Sequence, residues 1–144
     1  MNYSELVQMY FERSVALQWF WTIYVLVIGG VVGFSTFRQR PELVTTILVA
    51  VLYGCFAYKN LGAIEATAVE RQAILSAIRQ YPESAADAAA VKRVRPVVEP
   101  TMPNYDVAGA RTFHLVCDLL TIVFISAKEW RRRKPELLLE TRAN

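Results

Sequence analysis

Three ionisable residues lie inside an otherwise apolar stretch. Arg111, His114 and Asp118 fall within GARTFHLVCDLLTIVFISAKEW, residues 109–130, and His114 is the only histidine of the chain. At about 100° per residue the three share roughly a 60° arc of one helix face. An imidazole and a carboxylate one turn apart can hold or pass a proton, and both are costly in apolar surroundings unless they find partners. Ionisable groups avoid lipid, so this face is expected to turn toward companion helices or water. Two roles fit. A hydrogen-bond clamp would fix how helices pack; a proton or ion relay would carry charge. The clamp is favoured, because a relay needs several such groups through the full thickness. Beyond Asp118 the run offers only Thr121 and Ser126.

Other chemistries lack their residues. One histidine and two separated cysteines, Cys55 and Cys117, supply no metal set. There is no Gly-rich phosphate loop and no G-x-S-x-G, and Ser126 lies two turns along the same helix as Asp118, where it cannot complete a triad. No catalytic residue, metal or cofactor is therefore expected. The cysteines lie in apolar runs and read as reduced, buried fillers. The basic run Lys92–Arg95 carries no interleaved aromatic residue, so nucleic acid is not expected as a partner.

The elements that must position the polar face are three apolar runs. Of 144 residues, 54% are hydrophobic and 20% charged, with mean hydropathy +0.26 and net charge +3, values that suit a chain partly in lipid and partly in water. Residues 19–37 contain no charge and would rise roughly 28 Å as a helix, close to the ~30 Å hydrocarbon core. Residues 43–58 form a second run after the tight turn 38–42, with Pro41 suited to the helix start. Residues 107–127 form the third. Asp118 at its centre costs about 2.5–3.5 kcal/mol on insertion scales, while the basic, aromatic KEWRRRK after it has the composition of a span's end. The resulting expectation is an all-α integral membrane protein with three transmembrane helices. The alternative is two spans with the third run buried in a soluble core.

Outside the runs, residues 1–18 read as an amphipathic helix with Asn2 and Glu5 at capping-box spacing. Residues 59–81 continue the second helix, with Leu61, Ile64, Ala68, Leu75 and Ile78 on a seven-residue pattern interrupted by Arg71. The first two spans should thus extend into a long antiparallel, water-exposed helical stalk. Residues 82–106 read as a Pro/Ala-rich linker, extended over 96–105, and residues 128–144 as a basic tail. Arg38, Arg40 and the 128–134 cluster outnumber the cations at the other end, which places the N-terminus outside and the C-terminus in the cytoplasm of a bacterial-type inner membrane.

Matching depths along antiparallel spans sets His114 level with Tyr24 and Tyr53, and Asp118 level with Gly29, Gly30 and Thr46. Gly29 with Gly33, and Thr46 with Ala50 and Gly54, have the small-residue spacing of close helix contacts. The expected function is a non-enzymatic scaffold, accessory or membrane-remodelling component that self-assembles, with the lipid bilayer, further copies and a larger membrane complex as partners. The other reading is a small ion or proton channel, or a membrane-permeabilising effector, lined by Arg111, His114 and Asp118.

Overall fold

The computed structural model describes residues 2–82 and 88–143, the side chains of 88 and 135–143 aside. Three long helices, α1 (Tyr3–Phe37), α2 (Leu43–Arg79) and α4 (Val107–Ala143), run beside one another, and a short α3 (Ala88–Val98) with a 3-10 turn (Glu99–Thr101) links the last two. All three long helices are long and apolar enough to cross a membrane. Neither α1 nor α2 is interrupted where its apolar part ends.

The helix ends follow local chemistry. At the start of α1, Asn2 Oδ1 accepts from the Glu5 amide and Glu5 Oε2 accepts from the Asn2 amide, each at 2.9 Å, so the capping box forms. The turn after α1 is organised by the Arg38 guanidinium, which donates to the carbonyls of Arg40 at 3.0 Å and Glu42 at 2.7 Å. Pro41 precedes the N-cap residue Glu42 rather than occupying the first helical position. At the start of α4, Asp106 Oδ1 accepts from the Gly109 amide at 2.9 Å, and a Cβ on Gly109 would collide with that carboxylate.

The helices α1 and α2 pack antiparallel over their whole length, from the Arg13–Glu70 ion pair at 3.3 Å to the Arg38–Thr46 hydrogen bond at 3.3 Å. Their buried residues recur at seven-residue intervals: Tyr3, Tyr10, Leu17 and Tyr24 on α1, and Tyr53, Asn60, Thr67 and the Ile64, Arg71, Ile78 series on α2. That period belongs to two helices coiling about each other. Arg71 does not interrupt the seam; it is seated in it. Its guanidinium lies over the Tyr10 and Tyr105 rings and donates to the Pro103 carbonyl at 2.8 Å. The stem packs while the head is fully served, so a cation fits an inward position.

The 82–106 connection departs from an extended linker. Residues 96–98 close α3, residues 99–101 form the 3-10 turn, and Val91 and Met102 join Tyr3, Leu6, Tyr10, Leu75 and Ile78 in one apolar cluster. Pro96 lies inside α3, which ends two residues later, and Arg95 beside it anchors the segment. Arg95 donates to the Ile78 carbonyl in the last turn of α2 at 3.3 Å and to the Tyr81 carbonyl just past its end at 2.9 Å, and pairs with Glu99 one turn on. A cation at a helix C-terminus is well placed against the helix dipole. The part of the expected linker at 83–87 lies outside the described residues. The basic segment after 128 likewise continues α4 as helix to Ala143 rather than beginning a separate tail.

Because Ile78 is fully buried in this cluster, Ile78→Ala is expected to lower unfolding free energy by about 2–5 kcal/mol. Val69→Ala, at a position 58% exposed, serves as the control and should change little in the same thermal melts.

Candidate functional site: a buried polar knot between three helices

The inward seam of α4 is built from His114, Thr121, Ile125 and Glu129, all buried, with Asp118 half-buried beside them. Spacings of three and four residues keep these positions on one side of a helix. Two polar knots result, one at each end of the seam.

The first knot centres on Asp118. Its Oδ1 accepts from the Tyr53 hydroxyl at 2.7 Å and from the Tyr24 hydroxyl at 2.9 Å. Tyr24 Oη also lies 3.0 Å from the His114 carbonyl, so its one proton is shared between two acceptors. Asp118 Oδ2 lies 2.8 Å from His114 Nδ1, and His114 Nε2 lies 3.3 Å from Asn60 Nδ2. These partners assign the tautomer: Nδ1–H donates to the carboxylate, and Nε2 accepts from the Asn60 amide. The imidazole has no exposed surface and stacks on the Tyr24 ring, centroids 3.9 Å apart, with Trp21 at its edge. Trp21 in turn donates to the Tyr105 hydroxyl at 2.9 Å. One carboxylate thus gathers donors from α1, α2 and α4.

The second knot centres on Glu129, 4% exposed. Arg38 approaches at 3.3 Å, Arg133 at 3.1 Å and Arg132 at 3.9 Å, while the Thr46 hydroxyl donates at 3.1 Å. Arg132 also donates to the Ser35 carbonyl. The end of α1, the start of α2 and α4 meet here on charged groups.

The sequence-derived residues divide accordingly. Tyr24, Tyr53, His114 and Asp118 come together. Thr46 does not join them; it serves Glu129, because α4 sits about two turns nearer the Asn60 end of α2 than equal counting from the span ends implies. Arg111 also stands apart, 61% exposed and paired with Glu65 of α2 at 3.0 Å, since its long side chain can reach the polar end of the bundle. Gly29, Gly33 and Gly54 make no close helix contact within the protomer: a Cβ on any of them would meet nothing within 4 Å. Ala50 lines a cleft between α2 and α4. Cys55 is exposed and Cys117 half-buried, so burial of both thiols is corrected.

Residues missed in the sequence had a signal. Continuing the seven-residue pattern of α2 backward from Ile64 reaches Asn60, Ala57 and Tyr53. Continuing the seam of α4 forward from Asp118 by eleven residues reaches Glu129, which looked like part of a solvated basic end. Among the described residues, no group of three or more His, Cys, Asp or Glu side chains is arranged to hold a metal ion.

Replacing Asp118 by leucine strands the Tyr53 hydroxyl and His114 Nδ1–H and leaves Tyr24 only the His114 carbonyl, so Asp118→Leu should cost about 2–4 kcal/mol, more than Cys117→Ala. Asp118→Asn should cost under about 1 kcal/mol. Its carbonyl still serves both tyrosines, its amide donates to Nδ1, and a flipped Asn60 accepts from the relocated Nε2–H. Thermal unfolding in mild detergent reads both; a silent Asp118→Leu would refute the clamp. At the other knot, Glu129→Leu leaves three guanidiniums facing each other. The loss should fall below the ~3–5 kcal/mol of a fully buried pair, because these arginines retain 14–37% side-chain exposure. No family model matches this chain, and no curated protein or solved structure is similar to it.

Proposed function

We propose that the protein is a three-span, non-enzymatic membrane component that self-assembles and acts as a scaffold or accessory subunit, holding the α3-covered end of the α1–α2 pair at a fixed attitude to the bilayer. The observation that carries this reading is a contrast between the inside and the outside of the bundle. Inside, the ionisable side chains are spent on one another. Outside, Gly29, Gly30 and Gly33 leave α1 open to close approach with no neighbour in the protomer. Small residues let helix backbones approach closely, and in lipid that packing is a main source of association. The α1–α2 extension supports assembly less, since α3 and Met102 cover its apolar cluster within one chain.

Proton conduction is the second reading, favoured by the contiguous series Asn60, His114, Asp118 and Tyr53. An apolar interruption stands against it. Asp118 and Glu129 are eleven residues apart, about 16 Å of helix, and between them Thr121 is turned back to the Cys117 carbonyl while Ile125 is buried.

A Cβ at Gly29 or Gly33 meets no atom of the protomer within 4 Å, so the double leucine variant should keep its melting temperature while losing assembly. Native mass spectrometry from mild detergent is expected to show oligomers of the parent and monomers of Gly29→Leu/Gly33→Leu. A monomeric parent would overturn self-assembly. Proton flux in liposomes abolished by Asp118→Asn, the variant expected to stay folded, would replace the scaffold reading by conduction.

A further inference from the structure

We infer that the cleft between the start of α2 and the basic end of α4 binds an anionic phospholipid of the surrounding bilayer, a role that rests on the three-span reading. The cleft encloses about 340 Å³. Its floor is apolar, with Leu43, Ile47 and Ala50 on α2, and its mouth carries Trp130, Arg133 and Lys134 on α4. Leu43 to Ala50 is two turns, about 10 Å along the helix, a length that accepts the upper part of an acyl chain. Trp130 is 65% exposed at the same level, as an indole at a headgroup boundary would be.

Charge selects the headgroup. Among the described side chains, seven cations, within Arg38–Arg40 and Lys128–Lys134, accompany two carboxylates, Glu42 and Glu129, at this end. Glu129 is already neutralised by Arg38 and Arg133. Arg133 commits its Nε to Glu129, and its side chain, 37% exposed, lines the cleft. Lys134 is exposed and makes no ion pair among the described residues. A phosphodiester between Arg133 and Lys134, with one chain along Ile47 and Ala50, satisfies both halves of the cleft. A zwitterionic lipid brings its own cation to a site already rich in them.

Brominated lipids test this, because bromine quenches nearby tryptophan. The protein is reconstituted in phosphatidylcholine vesicles containing a minority of phosphatidylglycerol, with bromine on one lipid or the other. Trp130 is read as the difference between the parent and Trp130→Phe. Quenching of Trp130 per mole of brominated lipid should be several-fold stronger for phosphatidylglycerol, and Lys134→Gln should lower that preference about five-fold. Ala50→Leu, which narrows the floor without touching a charge, should weaken quenching by both lipids at Trp130 and leave Trp19 unchanged. Equal quenching of Trp130 by the two lipids overturns the site while leaving the spans intact. No quenching of Trp19 or Trp130 by either lipid overturns the spans and the site with them.

Discussion

Asp118 is the acceptor that all three long helices share, and their mutual register depends on it. Tyr24 reaches it from α1, Tyr53 from α2 and His114 from one turn away on α4, with Asn60 closing the far side of the imidazole. Apolar contact alone would specify this arrangement poorly in a membrane, since lipid tails solvate leucine about as well as another helix does. Sliding one helix by a single residue moves its side chains about 1.5 Å along and 100° around the axis. Such a slip loses the hydroxyl contacts at once and leaves buried donors without acceptors. Individually, hydrogen bonds between membrane helices contribute only about 0.6 kcal/mol on average. Their effect here lies in discrimination: the correct register satisfies the whole set, and neighbouring registers satisfy little of it.

One knot fixes a point, and two fix a relationship. Glu129 and its arginines lie about 16 Å further along α4, at the turn between α1 and α2, so depth and rotation of α4 are set at both ends of its seam. Buried ion pairs contribute little net stability relative to apolar replacements, but removing one partner is costly. Arg38 shows how the second knot is tied to local folding. The same guanidinium that pairs with Glu129 also closes the Arg38–Glu42 turn through two carbonyls. The hairpin and the docking of α4 are therefore one event at this end. At the other end, Arg71 and Tyr10 both hold the Pro103 carbonyl and Gln72 holds that of Tyr105, so the segment entering α4 is pinned to the α1–α2 pair before the helix begins.

How much of this was legible in the sequence depended on whether periodicity or reach decided the contact. The three long helices, their uninterrupted extensions, the Asn2–Glu5 cap and the inward turn of His114 and Asp118 all follow from spacing. The company of Tyr24 and Tyr53 followed from depth counting, although α4 sits about two turns off along α2, because a side chain as long as tyrosine reaches across part of that error. Thr46 has a short side chain, and the same error carried it to the wrong knot. Arg71 and Glu129 were hidden for a different reason. A charged residue on an apolar stripe looks like an interruption until a carbonyl or a guanidinium is known to await it. The folding of 96–102 against α1 and α2 was equally hidden, since Pro96 and Pro100 report what the backbone cannot do and not what Val91 and Met102 can bury.

The distribution of polarity gives the strongest physical reason to place these helices in lipid. A water-soluble bundle buries aliphatic side chains and exposes charge. Here the levels of Asp118 and Glu129 bury tyrosine, histidine, carboxylate and guanidinium, while Val25, Leu26, Leu119 and Leu120 are each more than 60% exposed. Exposed apolar surface on soluble monomers rarely forms patches beyond a few hundred Å², whereas large apolar side chains are exposed along all three long helices here. The three-span reading proposed above accounts for the inversion: hydrocarbon rewards an apolar exterior, and a polar interior then distinguishes one packing from another. The two ends of α1 and α2 then divide naturally. Where Leu6, Leu75, Ile78 and Met102 form an apolar core, water drives the packing; where Tyr24, Tyr53 and His114 meet Asp118, hydrogen bonding does. In the three-span reading proposed above, the change from one kind of interior to the other, between Ile64 and Asn60 on α2, would mark the level at which the chain passes from water into the bilayer.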